Sequence, residues 1–433
     1  MRQLTRRAFL QAAAAASLFA DTGMPLSSAD NELLEDIGRR AFRYFWEQAD
    51  PHTGLVLDRS RADGLPLNGR AADVASMAST GFGLTALCIA YHRRWMDPEA
   101  IRGRITTTMR HLAYEQQHYL GWFYHFVNRK TGERAWECEL SSIDTAILLA
   151  GVITAQQCFL DDPNIPDLAQ EIYDRVDFLW MLDPNTNLMR MGWKPGAGFL
   201  RGVWANYREN VILQIIAIAS RTHPVPVQTW YSFHRDSIVF DEYSFVGRGP
   251  IFTHQFPQAW LKLEGLRDGP PFHLDYFQNS IIATRAHRAY CLSLRSQYPD
   301  YSENLWGVTA SDSDIGYVIW GAMTSLRNWD GTVVPCAAGG SLMFTPDICL
   351  PVLRTMHDQY GDLIYGPYGF ADAFQPDTRW VDAELLGIDL GIVLLSAENL
   401  RTERVWNWFM KSPDIRKTMD RIFEPSEMPG EWH

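Results

Sequence analysis

Glu139, Glu209 and Asp389 each stand just before a long apolar run: Ala146 to Ala155, Val211 to Ala219 and Ile392 to Leu395. A run that is apolar on every side belongs to a helix buried on every side. Carboxylates at the mouths of several buried helices converge on a polar site ringed by helix ends. Such a set can cleave a glycosidic bond. One carboxylic acid protonates the leaving oxygen, and one carboxylate activates water or attacks directly. Asp144, Asp312 and Asp372 extend the set, each beside Gly, Ser or aromatic residues. The competing use is helix capping, which favours acidic side chains at N-termini. For Glu209 the balance tips to chemistry, because Trp204 and Tyr207 precede it and the following helix is too apolar to face solvent.

Rings surround these acids. Aromatic residues make up 13% of the 433, with 16 Trp. A core needs Leu and Val more than Trp, so part of this surplus should line a surface where ring faces stack on the C–H faces of sugars. Packing between helices is the competing use. One cluster is Gly121-Trp122-Phe123-Tyr124-His125-Phe126, which reads as a hairpin. The other runs from Tyr365 through Tyr368 to Asp372 and Phe374, with glycines that let backbone approach a ligand. Trp122, Tyr124, His125, Trp204, Tyr207, His254, Asp312, Tyr368 and Asp372, with Asp144, are the expected substrate-binding residues.

Other chemistries find little support. There is no phosphate loop, no G-x-S-x-G elbow and no dinucleotide fingerprint. The 12 His show no metal-ligand spacing. Neither a cofactor nor a metal is expected, and no protein partner is evident. The net charge is −12, near −14 without residues 1–29, which argues against nucleic acid and leaves neutral oligo- or polysaccharides open. The six Cys are scattered and read as mostly free thiols.

Residues 1–29 read as a twin-arginine export signal: Arg6-Arg7 with Phe9-Leu10, a short Ala-rich stretch, then Ser27-Ser28-Ala29. The expected location is periplasmic or secreted. The apolar stretch is too short to stay in a membrane, and no other window is long enough to span one.

The elements that must position the acids are helices. Amphipathic patterns at 31–49, 98–115 and 166–181 alternate with apolar ones at 74–91, 141–159 and 209–220. Further helices are expected over 276–294, 346–360, 390–399 and 403–410, with Thr345-Pro346 as a start signal and a kink at Pro351. Alternating buried and half-buried helices are what an all-α (α/α)6 toroid requires. The stretches 240–269 and 305–341 read as long loops with short strands on the active face. Nothing resembles a linker, so 30–433 is expected to be a single catalytic domain.

With these residues in view, the chain resembles the bacterial glycoamylase-like family that includes the endo-β-1,2-glucanases of glycoside hydrolase family 144. The resemblance is carried by Gly121 to Phe126, Glu139-Leu-Ser-Ser-Ile-Asp144, Tyr207-Arg-Glu209 and Phe252-Thr-His-Gln-Phe256. Asp275 to Ser280, Thr309 to Asp312, Tyr368 to Phe374 and Gly387-Ile-Asp389 continue it. It implies an (α/α)6 barrel and metal-free inverting hydrolysis of a β-glucan, β-1,2-linked before other linkages. By position it implies Glu209 as general acid and Asp389 or Glu139 on the base side. The chain departs from the family pattern at Asn210, Leu390 and Ile392, beside those residues. A glycosyl-transferring enzyme of the same fold and a non-catalytic glycan-binding protein stay open.

Overall fold

A computed structural model describes residues 26–320 and 329–426. The twin-arginine motif lies outside the described residues. Ser28 and Ala29, read above as the end of the export signal, lie in the first turn of α1 (Ser28–Glu47), and Ser27 Oγ caps it by accepting from the Asp30 N–H at 3.1 Å.

The longer helices buried nearly all round among the described residues are α2 (Met77–Arg93), α4 (Ser142–Cys158), α7 (Asn210–Ala219) and α12 (Gly387–Thr402). The amphipathic helices α1, α3 (Pro98–Tyr114), α5 (Ile165–Asp174) and α14 (Pro413–Ile422) bury one face against them or against one another. α6 (Phe178–Met181) is a separate single turn, so the pattern read as one helix over 166–181 divides in two.

α2 packs on α4 and α12, and α4 packs on α7. The first contact is the tightest, because both helices carry glycine there. A Cβ on Gly151 would stand 2.1 Å from the Gly81 carbonyl oxygen. α7 meets α8 (Phe252–Gln258), and α12 meets α10 (Pro335–Gly339). Gln255 Nε2 joins α8 to α10 by donating to Ala337 O at 2.9 Å and Ser341 Oγ at 2.7 Å. α9 (Tyr276–Ser293), α11 (Pro346–Ile364) and α13 (Arg404–Phe409) complete the described helices.

α8 and α10 correct the reading of 240–269 and 305–341 as loops and strands alone. Strands are there, as the hairpins Ser237–Phe240/Tyr243–Val246 and Ala310–Ser311/Val318–Ile319. The helices escaped notice because they are short, and α8 buries Thr253, His254, Gln255 and Gln258 rather than an apolar stripe. α11 runs on through Pro351. Thr345 stands at its N-cap, but the hydroxyl meets Cys349 Sγ at 3.4 Å and makes no capping bond.

Short antiparallel strands tie the starts of the buried helices together. Val74–Ser76, which feeds α2, pairs with Phe126–Asn128. Leu140–Ser141, which feeds α4, pairs with Gly192–Lys194. Glu384–Leu386, which feeds α12, pairs with Arg59–Arg61. Glu139 directly precedes the strand that feeds α4, while Asp144 and Asp389 lie in the first turns of α4 and α12. Among the described residues no helix is long and apolar enough to cross a membrane.

Candidate active site

His125 is held by backbone on both sides. Its N–H donates to Glu139 O at 2.9 Å, and its carbonyl accepts from Met77 N–H at 3.2 Å, at the start of α2. That fixes the ring between two acids, with Nδ1 3.1 Å from Glu139 Oε1 and Nε2 3.4 Å from Asp144 Oδ1. Burial alone would lower the imidazole's affinity for its proton, but Asp144 and Glu139 override it and carry the value to about 9. The same bond, with help from Glu139's own N–H and from Lys194, holds Glu139 below the usual carboxylate range. His125 is therefore an imidazolium held between Glu139 and Asp144.

Asp144 lies in the first turn of α4, where capping competes with chemistry. Ser141 does the capping: its Oγ accepts from the Asp144 N–H and donates to Asp144 Oδ2. Oδ1 stays free to face His125. Glu209 occupies the N-cap position of α7, yet its side chain makes no capping bond. Although the residue is partly exposed, Oε2 is sealed from solvent and has no hydrogen-bond partner among the described residues. Burial pushes the carboxyl up to about 7, and the negative field of Asp144 adds to this against the pull of its own backbone N–H and Arg208. The raised value keeps a transferable proton on Glu209 to a much higher pH than on an ordinary carboxyl.

Asp389, in the first turn of α12, faces Asp372, and both side chains are buried. Burial pushes both upward, and the two share a hydrogen bond, which requires one proton between them. The Cys336 thiol, on α10, pulls Asp389 in the opposite direction from burial. The Asp312 N–H donates to Asp372 Oδ2 at 3.3 Å. Arg59 anchors the outer acids, reaching Asp312 at 3.0 Å, Glu384 at 3.2 Å and Asp58 at 3.3 Å. The electrostatic fields link the groups into one site. Asp144 raises both Glu209 and Asp58, and Asp58 in turn raises Asp389.

The acids expected from the sequence thus come together, but most of the expected sugar-stacking rings do not. Trp122 is fully buried and donates its Nε1–H to Asp177 O at 2.9 Å. Tyr124 is buried beneath the Arg134 guanidinium. Tyr368 is buried beside α1, its hydroxyl donating to Glu47 at 2.9 Å and accepting from Gln48 at 2.6 Å. Trp204 and Tyr207 are buried too, but they brace the segment before Glu209. Trp204 Nε1 donates to Ser142 Oγ at 2.9 Å, and the Tyr207 hydroxyl lies 3.1 Å from His254 Nδ1. His254 is buried and pushed down to about 3 by desolvation, so it is a neutral strut for Tyr207 rather than a sugar contact.

Several residues went unnoticed in the sequence. Asp58-Arg59 follows the apolar segment Leu55-Val56-Leu57, a buried charge pattern that could have been read as a site signal. Asp382, with a sealed, unpartnered Oδ2, is pushed up to about 7 by burial, with Asp372 and Asp312 contributing. Tyr317, on the hairpin Ala310–Ser311/Val318–Ile319, is raised by burial of its hydroxyl and then by Asp389, Asp372, Asp58 and Asp312, although the residue as a whole is 52% exposed. Trp136 is 47% exposed, on a left-handed turn it shares with Glu137. Its ring meets Phe126 at 4.9 Å, and Phe126 stacks on His125 at 3.7 Å.

Residues 202–413, which carry Glu209, Asp372 and Asp389, match the glycoamylase family model, described as "Putative glucoamylase". A curated relative, "Exo beta-1,2-glucooligosaccharide sophorohydrolase (non-reducing end)" of Parabacteroides distasonis, is 25% identical over 91% of this chain. The chain spans only 58% of that relative's length. Among solved structures, a "putative glucoamylase" from Bacteroides uniformis superposes with a TM-score of 0.83 at 27% identity, over 93% of this chain and 99% of that one. The endo-β-1,2-glucanase from Chitinophaga pinensis, solved with sophorotriose and glucose, shares the fold with a TM-score of 0.83 at 24% identity, over 92% of this chain and 99% of its own. The resemblance carried by the motifs therefore holds at two levels: the chain is similar to the glycoamylase-like family in sequence over residues 202–413 and in fold over more than nine-tenths of its length.

Proposed function

We propose that this chain is a glycoside hydrolase that cleaves a β-1,2-linked glucan by an inverting acid/base mechanism. The observation that carries the reading is the Glu209 carboxyl, whose Oε2 is sealed and unpartnered and which burial pushes up to about 7. A general acid works best when its pKa lies near the working pH. The linkage rests on the curated relative, whose name specifies β-1,2-gluco-oligosaccharides.

Glu209 protonates the leaving oxygen. Asp389, ionised while Asp372 holds the shared proton, activates water by accepting its proton as the water oxygen attacks. Glu139, kept ionised by His125, is the other carboxylate able to take the base role. The His125–Glu139–Asp144 cluster offers donors and acceptors to sugar hydroxyls, and Trp136 a ring face at the margin. An inverting site must admit water between acid and base, which sets the carboxyls about 6.5–9.5 Å apart. The first product from a β-linked glucan is then α-configured.

The architecture we propose is a single (α/α)6 barrel domain. The successive contacts α2–α4–α7–α8–α10–α12–α2 support closure of the inner helices into a ring. Export by the twin-arginine route to the periplasm or beyond completes the proposal and rests on the Arg6-Arg7 motif.

A panel of β-1,2-, β-1,3-, β-1,4- and β-1,6-linked gluco-oligosaccharides, with products resolved by mass and anomer, tests the reading. Hydrolysis of the β-1,2 series to α-configured products is expected. A β-configured first product would replace inversion with a double displacement. Chain-length redistribution without new reducing ends would make the enzyme a transferase, and binding without turnover would make it a glycan-binding protein.

A further inference from the structure

We propose that Cys88 and Cys158 form a dithiol that closes into a disulfide between α2 and α4, with Cys158 as the thiol that reacts first. The pair is placed by the same contact that packs these helices. Gly81 and Gly151 bring the two backbones together, with a Cβ on either residue landing within 2.4 Å of a carbonyl oxygen of the other helix. The helices run in the same direction. Their first turns meet at His125, which bonds Met77 N–H and faces Asp144. Near their last turns, Tyr91 and Phe159 are in ring contact at 4.7 Å. Cys88 follows Gly81 by seven residues, and Cys158 follows Gly151 by seven. Seven residues are about two turns of helix, so each thiol lies on the same seam as its glycine. The two thiols are close enough to shift each other's proton affinity, and Cys158 also feels His92.

The environments of the two sulfurs differ in a way that orders the reaction. Cys88 is buried, and burial together with Cys158 holds its proton on. Cys158 is partly exposed at the end of α4. Burial raises its pKa, but the neighbouring Cys88 and His92 and the charge of Arg404 outweigh this and lower it. The thiolate is the nucleophile in exchange. With a small-molecule disulfide as oxidant, Cys158 Sγ attacks one sulfur, the oxidant's S–S bond breaks and one thiolate leaves. Cys88 then gives up its proton and attacks Cys158 Sγ, breaking the mixed disulfide and releasing the second thiolate. The protein loses two protons and two electrons, and the oxidant becomes two thiols. Cys138, Cys291, Cys336 and Cys349 are buried, and no disulfide links them.

The test uses the full chain, reduced and then equilibrated with oxidised glutathione, with alkylation under denaturing conditions and peptide mass spectrometry. A cross-linked Cys88–Cys158 peptide is expected, with the other four of the six Cys alkylated. Cys88→Ser should trap a lasting glutathione adduct on Cys158, because the resolving thiol is gone. Cys88→Ala serves if a hydroxyl is poorly tolerated on this seam. Full alkylation of both cysteines in the oxidised wild type overturns the proposal. So does a lasting glutathione adduct on wild-type Cys158, or a Cys158 that stays unmodified in the Cys88 variants.

Discussion

Nδ1 of His125 lies 3.1 Å from Oε1 of Glu139, and this contact sets the charge state of both groups. The imidazole is carried to about 9 despite burial, while Glu139 is held ionised. Glu209 has no such partner, so burial governs it and keeps its proton on. The site thus contains carboxyls with opposed tendencies, the arrangement from which acid and base roles arise.

Glu209→Gln keeps the shape of the side chain and removes the transferable proton. Turnover should fall by roughly 10²–10⁴-fold, the usual worth of general acid–base help. The circular dichroism spectrum should be unchanged, because Oε2 makes no hydrogen bond to lose. Near-normal turnover would remove Glu209 from the mechanism.

Stability should fall as pH rises from mildly acidic to alkaline. Glu209 moves from 4.5 to about 7 on folding, and His125 from 6.5 to about 9. Each favours the folded state only while protonated. Its contribution is full below the unfolded value and lost as pH rises through the folded one. The windows are therefore 4.5 to about 7 for Glu209 and 6.5 to about 9 for His125. Glu35, lowered to about 2 by Trp95, Arg39, Arg401 and Arg93 against the effect of burial, acts in the opposite sense, but only below 4.5. Urea midpoints measured across this range should decline, and Glu209→Gln should shrink the lower window, which Asp382 and Asp389, also raised to about 7, share. A midpoint that climbs between these limits would contradict the assignment.

The Asp372–Asp389 pair can be separated by amide substitution. Asn at 372 can donate an N–H to Asp389 and hold it ionised, so the acidic limb of the pH–rate profile should move to lower pH while activity persists. Asn at 389 should abolish turnover by roughly 10²–10⁴-fold, because the proposed base is lost. Equal losses with unshifted limbs would show that the pair acts only as scaffold.

Trp136→Ala should raise KM for longer oligosaccharides and leave kcat nearly unchanged, because the ring lies two rings out from His125. Its exposure makes the stability change small, within about 0.5 kcal/mol. A KM independent of chain length would take Trp136 out of the binding surface.

Gly151→Ala and Gly103→Ala should have opposite effects on stability. Both sites are helical, where Ala is intrinsically better than Gly by about 1 kcal/mol. At Gly103 a new Cβ meets nothing within 4 Å, so that preference should appear as stabilisation. At Gly151 the Cβ would lie 2.1 Å from a backbone oxygen that cannot move alone, and the net cost should be about 1–3 kcal/mol or more. Thermal unfolding of the two variants decides it.

The helices were legible because burial writes itself into local composition. α4 is apolar on every side and α5 on one, and the sequence separates the two by period alone. Glu209 was legible for the same reason, as a charge placed where an all-apolar helix begins. α8 was not, because its buried positions are polar and are satisfied by Ala337, Ser341 and Ser280 from distant segments.

The sequence by itself determined the alternation of buried and half-buried helices and the acids at their starts, since both follow from hydropathy over a few turns. It could not determine which rings face a sugar. Trp122 and Trp136 are the same residue type fourteen positions apart, one fully buried and one 47% exposed. The protonation states were likewise decided only by the tertiary structure. Glu139 and Glu209 are identical side chains, each set before an apolar run. One is ionised because His125 meets it, and the other keeps its proton because nothing does and water is excluded from Oε2. Hydropathy is a local property of the chain, whereas desolvation and charge pairing depend on groups that only folding brings together.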